Sequence, residues 1–320
     1  MRRGRPIRAA GWRDAGCSRR RALALMLGAC PWLSRSLAAA DGSAPIRLAI
    51  SESLVSDVNI SDARAAMVIW IKRMEADLDL VVELSPRVFD PTEEIMRRAR
   101  ASQFDTVALN VAEYRQIAEF LDPSQIVAEN GATGPEQYLL LAKRESGIPR
   151  LAALRGRRLS VLKAPKMCLA SAWLSSILED GRLSPSDQFF GSTVTDTKAS
   201  RVVLPVFFGQ ADACLTSKRS FDTMCELNPQ VAKDLAVIAN SQPLYVTFYT
   251  FHKNYHGVNR ERFVRVYSDL PATAAGRQLA TLFQFESLMV KDVSCLAPGL
   301  SLLDKAERLR GKPGAGSGRG

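Results

Sequence analysis

The residues that could do chemistry in this chain gather where strands are expected to end. Lys163 and Lys166 flank the loop Lys163-Ala164-Pro165-Lys166-Met167-Cys168 at the start of an expected helix, where free backbone N–H groups and the helix dipole favour a bound anion. Ser51, Ser53 and Asn59 lie in a polar loop that also leads into a helix, and their side chains add hydrogen-bond donors. Asn110 closes a short apolar run, and Tyr114 stands one helical turn further on, where its ring can cover a small ligand. Lys198, Thr216, Ser217 and Lys218 occupy two further strand-end loops. Each has a plainer reading: Ser51 and Asn59 as helix caps, Tyr114 as surface packing, the lysines as solvated loop residues.

Catalysis has little material. His252 and His256 are the only two histidines. Their i, i+4 spacing suits a metal only on a helix, yet they follow an expected strand with no third ligand nearby, so surface histidines are expected. Cys168, at a helix start beside Lys166, could have a lowered pKa, but no base stands near it in sequence. No cofactor, metal site or catalytic residue is expected.

Charge is placed unevenly. The chain of 320 residues carries a formal net charge of +10, and residues 1–40 hold nine Arg against Asp14 alone. Much of the remaining excess lies in the tail from Lys305, so the body between is close to neutral. A nucleic-acid partner would require basic residues on the folded body, and none is expected.

Ser18-Arg19-Arg20-Arg21-Ala22-Leu23 leads into the apolar stretch 22–33, and Ala38-Ala39-Ala40 offers a small-residue cut before Asp41. That order reads as an export signal, and its paired arginines resemble a twin-arginine one. Leu27-Gly28-Ala29-Cys30 also resembles a lipobox, leaving lipidation at Cys30 as the alternative. Export with cleavage at Ala40 leaves Cys168, Cys214, Cys225 and Cys295. Three disulfide pairings are open to them, as are four buried free thiols.

The elements that must position these groups alternate. Residues 46–50 read as a strand, and Ala63, Met67, Ile71, Met74 and Leu78 repeat at helical spacing. A second strand is expected at 80–84. Asp90-Pro91-Thr92-Glu93 opens a helix with a cap, a proline and a capping-box acid. Strands follow at 106–109, 138–143, 159–162, 211–215, 236–239 and 245–251. Helices follow at 111–120, 167–180, 199–208 and 221–227, and then up to Leu309. Consecutive βα units place the chain in the α/β class with mainly parallel sheets.

Several stretches carry a resemblance. Residues 46–52, Asp62-Ala63-Arg64-Ala65-Ala66-Met67 and Phe104-Asp105-Thr106-Val107-Ala108-Leu109 look like the first lobe of a periplasmic substrate-binding protein. Ser146-Gly147-Ile148-Pro149-Arg150-Leu151 with Leu154-Arg155-Gly156-Arg157-Arg158-Leu159 is similar to that family's crossover into the second lobe. Val203-Leu204-Pro205-Val206-Phe207-Phe208-Gly209-Gln210-Ala211-Asp212-Ala213, followed by Leu227-Asn228-Pro229, resembles its next helix–strand element. Order and spacing together resemble the phosphate/phosphite/phosphonate subgroup of ABC-transporter binding proteins.

The resemblance implies a two-lobed type 2 periplasmic-binding-protein architecture, with two mainly parallel or mixed sheets flanked by helices and a two-strand hinge. Lobe 1 would comprise 45–148 and 244–304, lobe 2 would comprise 149–243, and 305–320 would be a disordered basic tail. The hinge strands would be 138–143 and 245–251. It further implies a monomer that captures a small anionic, phosphonate-like ligand between its lobes for an ABC permease. A receptor feeding a membrane sensor, and remotely a cysteine enzyme, share the fold. Family members that bind phosphonate carry a Ser-Thr-Ser-Gly type run where this chain has Lys163-Ala164-Pro165-Lys166. Ligand contacts are therefore expected at Ser51, Ser53, Asn59, Asn110, Tyr114, Lys163, Lys166, Lys198 and Ser217.

Overall fold

The structure is a computed structural model that describes residues 44–311 apart from 79–80, 132–133 and 258. The expected export signal, its cut at Ala40 and the lipobox cysteine lie outside the described residues.

The chain begins with β1 (Ile46–Ile50), α1 (Ile60–Leu78), β2 (Val82–Leu84), α2 (Thr92–Arg100), β3 (Thr106–Asn110), α3 (Val111–Ile117) and β4 (Gln125–Asn130). The helical repeat read in α1 is its core face: Ala63, Met67, Ile71 and Met74 are all buried, with Trp70 beside them. All five residues of β3 are buried, as befits a central strand covered on both faces. Asp90 does not cap α2. Its carboxylate pairs with Arg98, and Pro91 takes the cap position with no side-chain hydrogen bond. A buried guanidinium is a stronger partner for a carboxylate than an exposed N–H.

The chain continues with β5 (Tyr138–Lys143), β6 (Arg158–Leu162), α4 (Ala170–Asp180), α5 (Ser186–Phe189), β7 (Ser192–Asp196), α6 (Ala199–Phe207), β8 (Ala213–Ser217), α7 (Lys218–Leu227), α8 (Pro229–Asp234) and β9 (Leu235–Asn240). It ends with β10 (Thr247–Phe251), α9 (Arg260–Asp269), α10 (Ala274–Leu282), β11 (Ser287–Asp292) and α11 (Ala297–Gly311). The turn that enters β6 needs Gly156, whose φ of +71° is left-handed, and its carbonyl lies where a Cβ on Gly191 would fall.

The strands form two mixed sheets, in the orders β11-β4-β10-β3-β1-β2 and β7-β6-β8-β5-β9. The βα units give the parallel pairs β1/β2, β1/β3, β6/β7 and β6/β8. Antiparallel pairs arise where the chain passes between sheets, β10 running against β3 and β4 and β5 against β8 and β9, and at the edge pair β11/β4. This α/β architecture of two helix-flanked sheets is the expected fold class.

Three expectations are corrected. First, β5 belongs wholly to the second sheet and β10 wholly to the first, so neither is a hinge strand. The two passages between the sheets meet at Glu136 and Leu244, which exchange backbone hydrogen bonds of 2.9 and 2.8 Å. The first sheet's run therefore ends before Tyr138 rather than at Ile148. Second, β4, β7 and β11 fall in stretches where no strand was expected. β7 is exposed along most of its length and so carries no apolar signature, while β11 alternates weakly and pairs at the sheet edge with β4. Third, Lys305–Gly311 are helical. Lys305 donates to Asp180 of α4 at 2.6 Å, and Arg115 of α3 pairs with Asp304 and Glu307, so α11 is anchored to elements of both sheets.

Candidate functional site

The polar loops of the first sheet converge on a carboxylate of the chain itself. Asn110 caps α3, and Glu113, three residues on, completes a capping box. The Glu113 side chain is 4% exposed. Ser51 and Thr92 each donate to its Oε1 at 2.6 Å, while Ser53 and the Asn110 backbone N–H donate to Oε2 at 3.1 Å. Asn110 Nδ2 in turn donates to Ser53 Oγ at 3.0 Å. The donors expected to receive an anion are thus already spent on an internal one. Asn59 is exposed and accepts from the N–H groups of Ser61 and Asp62. Tyr114 is buried edge-on against Phe248.

Between the sheets lie two contiguous cavities of about 20 Å³ each, room for about one water molecule apiece. Glu129, Glu136, Lys166, Thr247 and Gln284 line both; Asp57, Ser217 and Ser220 are among the further residues of one, and Gly131, Gly134, Lys218 and Arg219 of the other. Lys166, from the loop after β6, donates to Glu129 of β4 at 2.8 Å, with side chains 15% and 4% exposed. Thr247 of β10 donates to the same Glu129 oxygen at 2.5 Å. Tyr138 fixes the lysine loop: its hydroxyl donates to the Lys166 carbonyl at 2.9 Å and accepts from the Leu169 N–H.

Electrostatically the cavities are mixed. Burial raises the Glu136 carboxyl above its ordinary range, against the pull of Lys166 and Arg219. Asp57 is raised too, again by burial. Lys218 pairs with Asp222 at 2.6 Å. Lysine and arginine facing three carboxylates can hold an oxyanion through charge-assisted hydrogen bonds once an acid yields its place.

Comparison with known proteins decides the family. Residues 53–290 match the family described as ABC transporter, phosphonate, periplasmic substrate-binding protein. The chain belongs to that family. Solved structures share its fold at low identity. A binding-protein component of an ABC phosphonate transporter from Pseudomonas aeruginosa is 16% identical, with a TM-score of 0.55 over 85% of this chain and 91% of that one. PhnD1 from Prochlorococcus marinus, in complex with methylphosphonate, is 11% identical, with a TM-score of 0.56 over 83% and 98%. XAC2383 from Xanthomonas citri bound to ATP is 13% identical, with a TM-score of 0.58 over 84% and 98%. No curated protein matches in sequence.

As a periplasmic binding protein of an ABC transporter, the chain works outside the cytoplasm on a small molecule. Of the nine residues expected to contact ligand, Lys166 and Ser217 line the cavities. Ser217 is buried and also caps α7 through the Ser220 N–H. Lys163 and Lys198 are exposed, and their backbone N–H groups bind Asp196. Ser51, Ser53 and Asn110 surround Glu113 instead.

The lowered pKa that a helix start could give Cys168 is not borne out: burial pushes its thiol up to about 12. All four described cysteines are free thiols. His252 is buried rather than on the surface, with Nε2 3.0 Å from the Ala99 carbonyl, while His256 is exposed. Among the described residues, no cluster of His, Cys, Asp and Glu could hold a metal. No helix there is long and apolar enough to cross a membrane.

The sequence reading missed Glu113, Glu129, Glu136, Thr247 and Arg219. Glu129 carries a signal in retrospect, because it is a buried acid directly after the apolar run Ile126-Val127-Ala128. So do Lys218 and Arg219, two cations in the first turn of α7, where the helix dipole disfavours positive charge.

Proposed function

We propose that the protein is the extracytoplasmic receptor of an ABC permease, binding a small phosphonate-like anion between its two sheets. The observation that carries this is the cavity pair lined from both sheets, with Lys166, Lys218 and Arg219 on the second-sheet side. Cavities of about 20 Å³ are too small for a phosphonate, so ligand entry requires the sheets to part. The two passages that meet at Glu136 and Leu244 supply the hinge, a few residues absorbing the rotation. Lobe 1 then comprises the first sheet with its helices, and lobe 2 the second.

The protein acts as a monomer and carries no catalytic step. Its N-terminal segment directs export through the paired arginines, with cleavage near Ala40. Delivery to a permease, rather than signalling, follows from the family's transport role. A thermal-shift series on residues 41–320 with methylphosphonate, inorganic phosphate, methanesulfonate and acetate tests the reading, because a ligand that binds only the folded state raises Tm. The expected result is a rise with at least one tetrahedral oxyanion and none with acetate. No rise with any of the four overturns it.

A further inference from the structure

Arg219 stands in the cavity wall at the hinge end of the cleft, just after Ser217 at the start of α7. Its Nη2 is buried and has no hydrogen-bond partner, a costly condition for a charged donor. Lys166 and Lys218, the other cations lining the same cavity, are each taken by a carboxylate, Glu129 and Asp222. Glu136 feels the charge of Arg219 yet gives Nη2 no hydrogen bond. On the other side, Gly131 closes over the guanidinium so tightly that a Cβ there would overlap Nη2. Gly131 belongs to the link between sheets, where its N–H and carbonyl bond those of Gly134. The chain thus brings an arginine with an unspent donor against the backbone of Gly131, and leaves the side chain off the residue that faces it.

We propose that Arg219 is the ligand's acid anchor: an oxyanion of the ligand seats on its Nη2 in the pocket bounded by Gly131, Gly134 and Lys218. This rests on the receptor reading above and names which cation does the binding. Ser51, Ser53, Thr92 and the Asn110 N–H cannot compete, since Glu113 already uses them.

The experiment is calorimetric titration with methylphosphonate, inorganic phosphate and methanesulfonate of the wild type, Arg219→Met, Arg219→Lys and Gly131→Ala. The circular dichroism and unliganded Tm of each variant are recorded to establish folding. A charge-assisted hydrogen bond lost costs about ten- to a hundredfold in affinity. Arg219→Met is therefore expected to lose that much, Arg219→Lys less, and Gly131→Ala to weaken binding with Arg219 intact, because the new methyl group displaces Nη2. If the wild type binds and both Arg219→Met and Gly131→Ala bind equally well, the anchor is elsewhere and the receptor reading stands. If the wild type binds none of the three probes, both readings fall. If Arg219→Met does not fold, Gly131→Ala decides alone.

Discussion

The polar clusters of the two sheets solve the same electrostatic problem in opposite ways. On the first-sheet side, three hydroxyls and a backbone N–H close around Glu113 and leave nothing over. On the second-sheet side, three cations line the cavities, two are met by carboxylates, and Arg219 keeps a buried donor unmet. One side is a finished internal network, and such networks hold structure because any missing member strands the rest. The other is unfinished, and an unfinished buried site is where a ligand gains most. A polar loop read for its donors alone therefore misleads, because what counts is whether something in the chain already accepts from them.

The sharpest way to break this contrast is Glu113→Ala. Removing the carboxylate leaves Ser51, Ser53, Thr92 and the Asn110 N–H without their acceptor. At about 1–3 kcal/mol per stranded buried donor, partly relieved by water, the loss is expected to be about 3–5 kcal/mol. Urea denaturation measures it. A loss below about 1 kcal/mol would mean that the hydroxyls are free to serve a ligand after all.

Second in size is Lys166→Met. Lys166 and Glu129 bridge the two sheets, and a buried carboxylate that loses its ion-pair partner, keeping only the Thr247 hydroxyl, costs about 3 kcal/mol. The expected result is an unliganded protein with a larger radius of gyration by small-angle scattering, since the closed arrangement loses its cross-sheet ion pair. Adding Glu129→Gln should recover much of the loss, because no charge is then stranded. An unchanged radius in the single variant would show that α11, anchored on both sheets through Arg115 and Lys305, holds the halves together unaided.

The same contrast explains what was legible in the sequence. β1, β3 and α1 were readable because burial imposes a period or an unbroken apolar run on them. β7 was not, because an exposed strand is held by backbone pairing to β6 that leaves no side-chain pattern. Lys166 and Ser217 were named because strand-end loops are few, and both line the cavities. Glu113 was passed over because its spacing from Asn110 reads as a cap, and a cap and a buried anion look alike until Ser51 and Thr92, 62 and 21 residues away, are brought to it. Arg219 was missed although Lys218 beside it was named, since only the fold lays Gly131 over its guanidinium.

A third, smaller effect concerns pH. Burial raises Glu136 above its unfolded value, so the stability it contributes is full at pH below the ordinary glutamate range and is lost as pH rises through the raised value. Glu136→Gln has no such loss. Its Tm relative to wild type should therefore climb between pH 4 and pH 7, with little difference at the acid end. Because Arg219 pulls Glu136 back down, the climb should be steeper when Arg219→Met is already present. A Tm difference flat with pH would place Glu136 in a wetter setting than the cavity wall.

The smallest expected effect is the double replacement Lys163→Met and Lys198→Met, and it sharpens the comparison by being small. Both lysines sit at strand ends of the second sheet, the positions that an anion argument from sequence favours. Yet both side chains are exposed, and only their backbone N–H groups are engaged, by Asp196. Exposed charges contribute within about 0.5 kcal/mol to stability. At a distance their field on a ligand is screened over about 8 Å at physiological salt. Affinity for a bound oxyanion should therefore fall by less than about threefold, and that fall should vanish in 0.5 M salt. By contrast, the loss caused by Arg219→Met should persist there, because a donor sealed between Gly131 and the cavity wall is beyond the reach of counterions. A tenfold loss in the lysine double variant at high salt would move the anion to the outer rim of the second sheet and make the buried arginine a structural residue.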